Sequence, residues 1–283
     1  MRRLEVNKQP TSVAGIQESS LNIQDSKKAQ AFDPSENMLG VNLVRALFRF
    51  GLMAGVLLLS TWVSAPTGSA QTKEPEFKLE KFYLVLLTKG PNWKAGETPE
   101  YKHMLSEHMT KVSALAKSGK VVLAGPVFND ERLSGIGVFA VGSADEARSL
   151  ASDDPLVTSG QFAAEVHTWY AAPNIMKMPD GALKLDTYYL GFLRKGPKWT
   201  GADIPELKEL MKAHLANIGK LAKLGKLVIA GPMGDDGDIR GIFVFKTASI
   251  DEALQLSNTD PAVKAGHLVV DLHAWSVPSG GLP

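Results

Sequence analysis

The sequence predicts an α+β protein: one unit of order β-α-β-β-α-β, present twice in the chain. Three observations predict it. Residues 82–170 return as residues 188–276 at a constant offset, with no insertion or deletion between the copies. Within each copy, apolar runs suited to strands alternate with stretches of helical period. Turn residues close the same elements at the same places in both copies. Lys89-Gly90-Pro91-Asn92-Trp93 returns as Lys195-Gly196-Pro197-Lys198-Trp199, and Ala124-Gly125-Pro126 as Ala230-Gly231-Pro232. Asp154-Pro155 returns as Asp260-Pro261, and His167-Thr168-Trp169 as His273-Ala274-Trp275. A repeat of this length is a duplicated domain rather than a short-period solenoid.

The elements follow in order. Phe82 to Thr88 is a nearly unbroken apolar run ended by Gly-Pro, a buried strand. Over 99–118, Tyr101, Leu105, His108, Val112 and Leu115 form the single stripe of an amphipathic helix. The second copy repeats the stripe with Leu207, Met211, His214, Ile218 and Leu221. Gly119 and Gly225 suit a helix stop. Val121 to Ala124 is a strand, broken by Gly125-Pro126, and Gly135 to Val141 is another, with a polar hairpin loop from Val127 to Ser134 between them. Ser143 with Glu146, and Ser249 with Glu252, have the spacing of a capping box opening a second helix. A short turn from Pro155 to Gly160 leads to a last strand, Gln161 to Tyr170. Two helices on one face of a four-stranded antiparallel sheet is the ferredoxin-like arrangement. Its other face would be bare, and an apolar patch of that size needs cover. The cover is either the second copy, as an internal pseudo-dimer, or another chain, as a homodimer.

The domains are therefore 81–172 and 187–278, with a connector containing Pro173, Pro179 and Gly181. Residues 1–80 are of another kind. The first 37 are polar and aperiodic, the composition of a disordered segment. Arg45 and Arg49 then precede the apolar run Phe50 to Val63, and small residues lead to Ala70. This is the layout of an export signal cleaved near Ala70, giving a periplasmic or secreted protein. The alternative is a membrane anchor formed by residues 50–65, although the run falls short of the roughly 20 residues of a bilayer span. A start at Met38 would leave a signal of ordinary shape. Residues 71–80 read as a linker.

Composition excludes several classes. Lys plus Arg number 31 and Asp plus Glu 30, for a net charge of +1. A nucleic-acid binder needs a basic surplus, so no nucleic-acid partner is expected. There is no cysteine, which removes disulfides, thiol nucleophiles, iron–sulfur clusters and Cys-ligated zinc. No phosphate loop or nucleophile elbow is present, no compact metal triad is legible, and no cofactor is expected.

The candidates for chemistry are polar residues in apolar settings. His108 and His214 each sit in the middle of an apolar helical stripe. Each is either a core histidine with a hydrogen-bond partner or a burial-tuned general acid or base. Asp154 and Asp260 precede Pro, which alone makes them ordinary helix N-caps. Asp130 and Asp236 lie in the loop after Gly-Pro, as turn formers or at a pocket mouth. On the last strand, Glu165, His167 and Trp169 share one face, as do Asp271, His273 and Trp275. These rows either line a cavity between the sheets or form a wet edge. His103 and His267 face Glu209 and Gln161 in the opposite copies, so neither is required.

Taken together, these residues resemble the YCII-related (YciI-like) domain family. The resemblance rests on Gly90-Pro91-Asn92-Trp93, His108, Gly125-Pro126 with Asp130 and Gly135, Asp145-Glu146-Ala147, Asp154-Pro155 with Val157 and Gly160, and Trp169. In the second copy it rests on Gly196-Pro197-Lys198-Trp199, His214, Gly231-Pro232, Asp236, Gly241, Asp251-Glu252-Ala253, Asp260-Pro261 and Trp275. It implies a dimeric α+β barrel and a His–Asp active site. Carried over, the histidines are His108 and His214. The aspartates are Asp154 and Asp260 first, Asp130 and Asp236 second. The tandem arrangement and apparent export depart from many members, and His167 and His273 are not inherited as catalytic. The expected function is a cofactor-independent lyase or isomerase using a His–Asp pair on a small organic acid or lactone. The alternative is a non-catalytic exported module that binds a small molecule near Trp169 and Trp275. Whether the chain is catalytic is left open between the two.

Overall fold

The computed structural model describes residues 78–96, 98–128, 130–179, 184–201 and 204–283. The export signal, its cleavage point and the alternative membrane anchor lie outside the described residues. In the first repeat the order is β1 (Glu80–Lys89), α1 (Pro99–Lys117), β2 (Val121–Phe128), β3 (Leu133–Phe139), α2 (Ala144–Ser152), α3 (Pro155–Thr158) and β4 (Phe162–Ala171). In the second it is β5 (Leu185–Lys195), α4 (Pro205–Lys223), β6 (Leu227–Pro232), β7 (Ile239–Phe245), α5 (Ile250–Ser257), α6 (Pro261–Lys264) and β8 (Leu268–Pro278). No described helix is long and apolar enough to cross a membrane.

Local sequence accounts for the helix ends. Ser143 and Ser249 accept the N–H of Glu146 and Glu252 in their side-chain oxygens, and those glutamates reach back to the N–H of Gly142 and Ala248. Each capping box thus satisfies two donors that an open helix end would leave unpaired. Gly119 and Gly225 follow the ends of α1 and α4 with φ of 74° and 66°, the left-handed conformation that only glycine adopts at little cost.

The eight strands form one antiparallel sheet in the order β4-β1-β3-β2-β8-β5-β7-β6. The first and last strands also meet, through a bridge between Trp169 and Met233, so the sheet curls into a closed barrel. The two repeats are joined twice. Val127 and Phe128 pair with Trp275 and Ala274, and the Trp169–Met233 bridge is the equivalent contact on the other side. Here the structure corrects the sequence reading. Gly125-Pro126 does not end β2; the strand runs on to Phe128, because its continuation is paired by the other repeat. The glycines permit that junction. A Cβ on Gly125 would lie 1.8 Å from Ser276 O, and one on Gly231 1.8 Å from Tyr170 O.

The barrel interior is a solid core rather than a chamber. Trp169 and Trp275 are fully buried there with Leu84, Leu123, Ile136, Leu190, Ile242 and Val277. Each indole N–H donates across the repeat boundary, Trp169 to Gly231 O at 3.3 Å and Trp275 to Gly125 O at 3.2 Å. Aromatic side chains of this kind remove ~150–250 Å² each from water, about 4–6 kcal/mol apiece before entropy is counted. Outside the barrel wall, the helices cover two smaller cores, one per repeat. Tyr83, Val85, Val121 and Phe139 belong to the first, and Leu193, Leu221, Phe243 and Phe245 to the second.

Candidate functional site

In both repeats the helix histidine meets the Asp-Pro aspartate. His108 Nδ1 lies 2.7 Å from Asp154 Oδ2, and His214 Nδ1 2.7 Å from Asp260 Oδ2. The same aspartates cap the short helices α3 and α6, with Oδ1 accepting the N–H of Leu156 at 3.0 Å and of Ala262 at 2.9 Å. Cap and imidazole partner, which were alternatives in the sequence, are both filled by one carboxylate, one oxygen each. The Gly-Pro-x-Trp turn fastens the chain just after the short helix that this carboxylate caps. Gly90 N donates to Gln161 O and Asn92 N to Gly160 O. A Cβ on Gly90 would stand 2.3 Å from Gly160 O, so only glycine lets the turn approach so closely.

A carboxylate accepts, so Nδ1 carries the ring proton and Nε2 presents a lone pair. Among the described residues Nε2 of His108 and of His214 has no hydrogen-bond partner. An imidazole fixed at Nδ1 by a carboxylate, with Nε2 open, can take a proton from a ligand and return it.

The two sites are not equivalent. His214 and Asp260 have side-chain exposures of 9% and 0%, against 17% and 10% for His108 and Asp154. His214 stacks on Phe243, with ring centroids 5.9 Å apart, and Asn217 Nδ2 adds a long contact of 3.5 Å to Asp260 Oδ2. Where the second repeat has Phe243 opposite Gly191, the first has Gly137 opposite Val85, so the bulk changes strand and the first site lacks the stacking ring. A cavity of about 230 Å³ lies between α4 and the outer face of β6 and β7, with His214, Met211, Ile218, Phe243, Trp199 and Arg240 in its wall. The helix histidines thus face the layer between helix and sheet, not a space between the two sheets. Trp169 and Trp275 are in the barrel core and outside this cavity wall.

The other candidates form a second arrangement. His273 Nδ1 is 2.5 Å from Asp130 Oδ2, a contact between the repeats. Its counterpart is His167 Nδ1 with Asp235 Oδ2 at 3.1 Å, not with Asp236, whose backbone carbonyl takes Lys195 instead. Asp235 also accepts the N–H of Thr168. Sequence reasoning missed Asp235 because its counterpart in the first copy is Asn129. Burial pushes the Asp130 carboxyl up, but the N–H groups of Leu133 and Arg132 and the His273 contact outweigh it and leave the group below its ordinary value. Asp271 and Asp238 bind Arg194; burial opposes its charge, yet the two carboxylates hold the guanidinium more firmly protonated than usual. Among the described residues no group of three or more His, Asp or Glu is placed to hold a metal ion.

A family model for the YCII-related domain matches residues 82–169 and again 189–276, more than half of the chain. The chain belongs to the YCII-related domain family. It carries two such domains in tandem. Both YCII-related domains contain the His–Asp contact at the same position. No curated protein matches the sequence. Among solved structures, the chain is similar to a chlorite dismutase from Candidatus Nitrospira defluvii in complex with imidazole, at 11% identity and a TM-score of 0.47, over 70% of this chain and 90% of that one. It is also similar to a heme-binding protein from Thermus thermophilus, at 11% identity and a TM-score of 0.45, over 70% and 93%. Both are likenesses of fold.

Proposed function

We propose that this tandem YCII-related protein catalyses proton transfer on a small organic acid or lactone, as a lyase or isomerase. His214 is the acid–base group and Asp260 its orienting partner, with His108 and Asp154 as a second pair. The observation that carries the reading is the carboxylate-held imidazole whose open Nε2 belongs, in the second repeat, to a residue of the cavity wall. The residues of this chain divide the work simply. Asp260 fixes the tautomer and stabilises the imidazolium that forms on proton uptake. Phe243 holds the ring plane. The mostly apolar wall lowers the local polarity around the imidazole, which strengthens electrostatic interactions there.

The test is proton exchange with solvent. Small carboxylic acids and lactones are incubated with the full chain in heavy water, and deuterium at carbon is followed by proton NMR. Exchange of at least one compound class is expected, falling by about 10²-fold or more in His214→Asn. Exchange that persists in the double variant His108→Asn, His214→Asn sinks the proposal. Exchange that never occurs favours the second reading, a non-catalytic binding module, which the mostly apolar wall of the cavity supports.

A further inference from the structure

We infer that Arg240, which has no equivalent in the first repeat, anchors the carboxylate of a small apolar acid in the His214 cavity. This rests on the reading of the His214 cavity as the ligand site and names what that site selects.

Arg240, on β7, is in the cavity wall. Its Nη1 donates to two backbone carbonyls, Asp235 O at 2.8 Å and Gly237 O at 3.3 Å, and its guanidinium lies 5.5 Å from the ring centre of Trp199. The group is thus held in place. Its Nε is buried and has no hydrogen-bond partner. Among the described residues no carboxylate pairs with it, since the Asp235 carboxylate is turned to Thr168 and His167. Arg194, one strand away, shows the usual solution, with Asp238 and Asp271 as counter-ions. No aspartate or glutamate lines the cavity, whose other cation is Lys78. A positioned cation with an unfilled, buried donor and no counter-ion favours an anion. The free side of a guanidinium offers two parallel N–H groups, which match the two oxygens of a carboxylate. The remaining wall, with Met211, Leu215, Ile218 and Phe243, fits an apolar body and brings it to the imidazole.

The first repeat lacks these features. Ser134 stands where Arg240 does, and Trp93 packs on Phe162 instead of on an arginine. Met178 of the connector packs against the helix–sheet core there, whereas in the second repeat Ile175 of the connector borders the open cavity. The duplication has thus left one copy equipped for an acid and the other without the anchor.

Calorimetric titration of the full chain decides the matter, with hexanoate and phenylacetate against hexanamide and phenylacetamide. The acids are expected to bind at least tenfold tighter than the amides. Arg240→Gln should abolish that preference and leave amide affinity within about threefold, because the amide carries no charge for the guanidinium to meet. Arg240→Lys, which keeps the cation but not the fork, should retain part of the preference. It serves as the deciding variant if Arg240→Gln melts well below the wild type. The inference is overturned if acids and amides bind alike, if no acid binds, or if the acid preference survives both substitutions. Acid binding that depends on Arg240 without any deuterium exchange would sink the catalytic proposal and leave the anchor standing. Exchange that needs His214 with an acid preference indifferent to Arg240 would do the reverse.

Discussion

Asp154 and Asp260 divide their oxygens between a backbone N–H and an imidazole, and the division can be separated by mutation. Asparagine keeps an oxygen for the cap but offers an amide donor where the carboxylate accepted. The ring of His214 would then accept at Nδ1 and move its proton to Nε2, which ends its use as a base. Asp260→Asn is therefore expected to fold and to lose proton exchange. Asp260→Ala should lose exchange as well and be less stable than Asp260→Asn by about 1 kcal/mol, the worth of a lost cap, as read by urea unfolding. Equal stability of the two variants would show that the cap contributes nothing. At this scale the sequence was informative about residue types. His108, His214, Asp154 and Asp260 are all legible as polar residues in apolar or helix-start positions. That each aspartate plays both parts is not legible, because one oxygen's partner is two residues away and the other's lies on a distant helix.

The loops after β2 and β6 act as clasps on the last strand of the opposite repeat, through Asp130 to His273 and Asp235 to His167. Asp130 gives the first clasp a pH dependence. Its folded-state value lies below the ordinary 3.8, so its contribution to stability is complete above that value and is lost as pH falls through the folded value. Asp130→Asn is expected to lower the melting temperature at pH 7, and the gap to wild type should close as the pH falls below about 3.8. A gap that is constant from pH 7 to pH 2.5 would mean that the charge plays no part. These loops show why elements were only partly readable. The span Val127 to Ser134 looks like a polar hairpin because a strand's partner is not written beside it. Its first two residues are strand, since β8 supplies their hydrogen bonds. Asp235 carries the second clasp although the repeat alignment points to Asp236, because the two loops differ in their glycines (Gly234 and Gly237 against Phe128 and Glu131) and follow different paths.

Across the whole molecule, the repeats share one core and close one barrel. Trp169 and Trp275 each bury an indole and donate its N–H to a backbone carbonyl of the other repeat. A single repeat would expose that face, and an apolar surface so large does not stay in water. Residues 78–179 expressed alone are thus expected to self-associate through the same face or to remain unfolded, as judged by size-exclusion chromatography and circular dichroism. A well-folded monomer would contradict the shared core. The duplication also frees the two halves to diverge. Phe243 beside Gly191, and Gly137 beside Val85, keep the local volume balanced while only one half gains a ring for its histidine.

By itself, the sequence determined the repeat, the order of strands and helices, the capping boxes and the family. These depend on local period and spacing, which a single chain displays openly. Only the tertiary structure decided which layer the histidines face, where the cavity opens and what Arg240 lacks. A stripe of apolar residues says that a helix lies on a sheet, but not how closely. Ser134 and Arg240 are a visible difference between the copies, yet its meaning depends on a buried donor and on a cavity wall without a carboxylate. Those are properties of residues far apart in the chain that the closed barrel brings together.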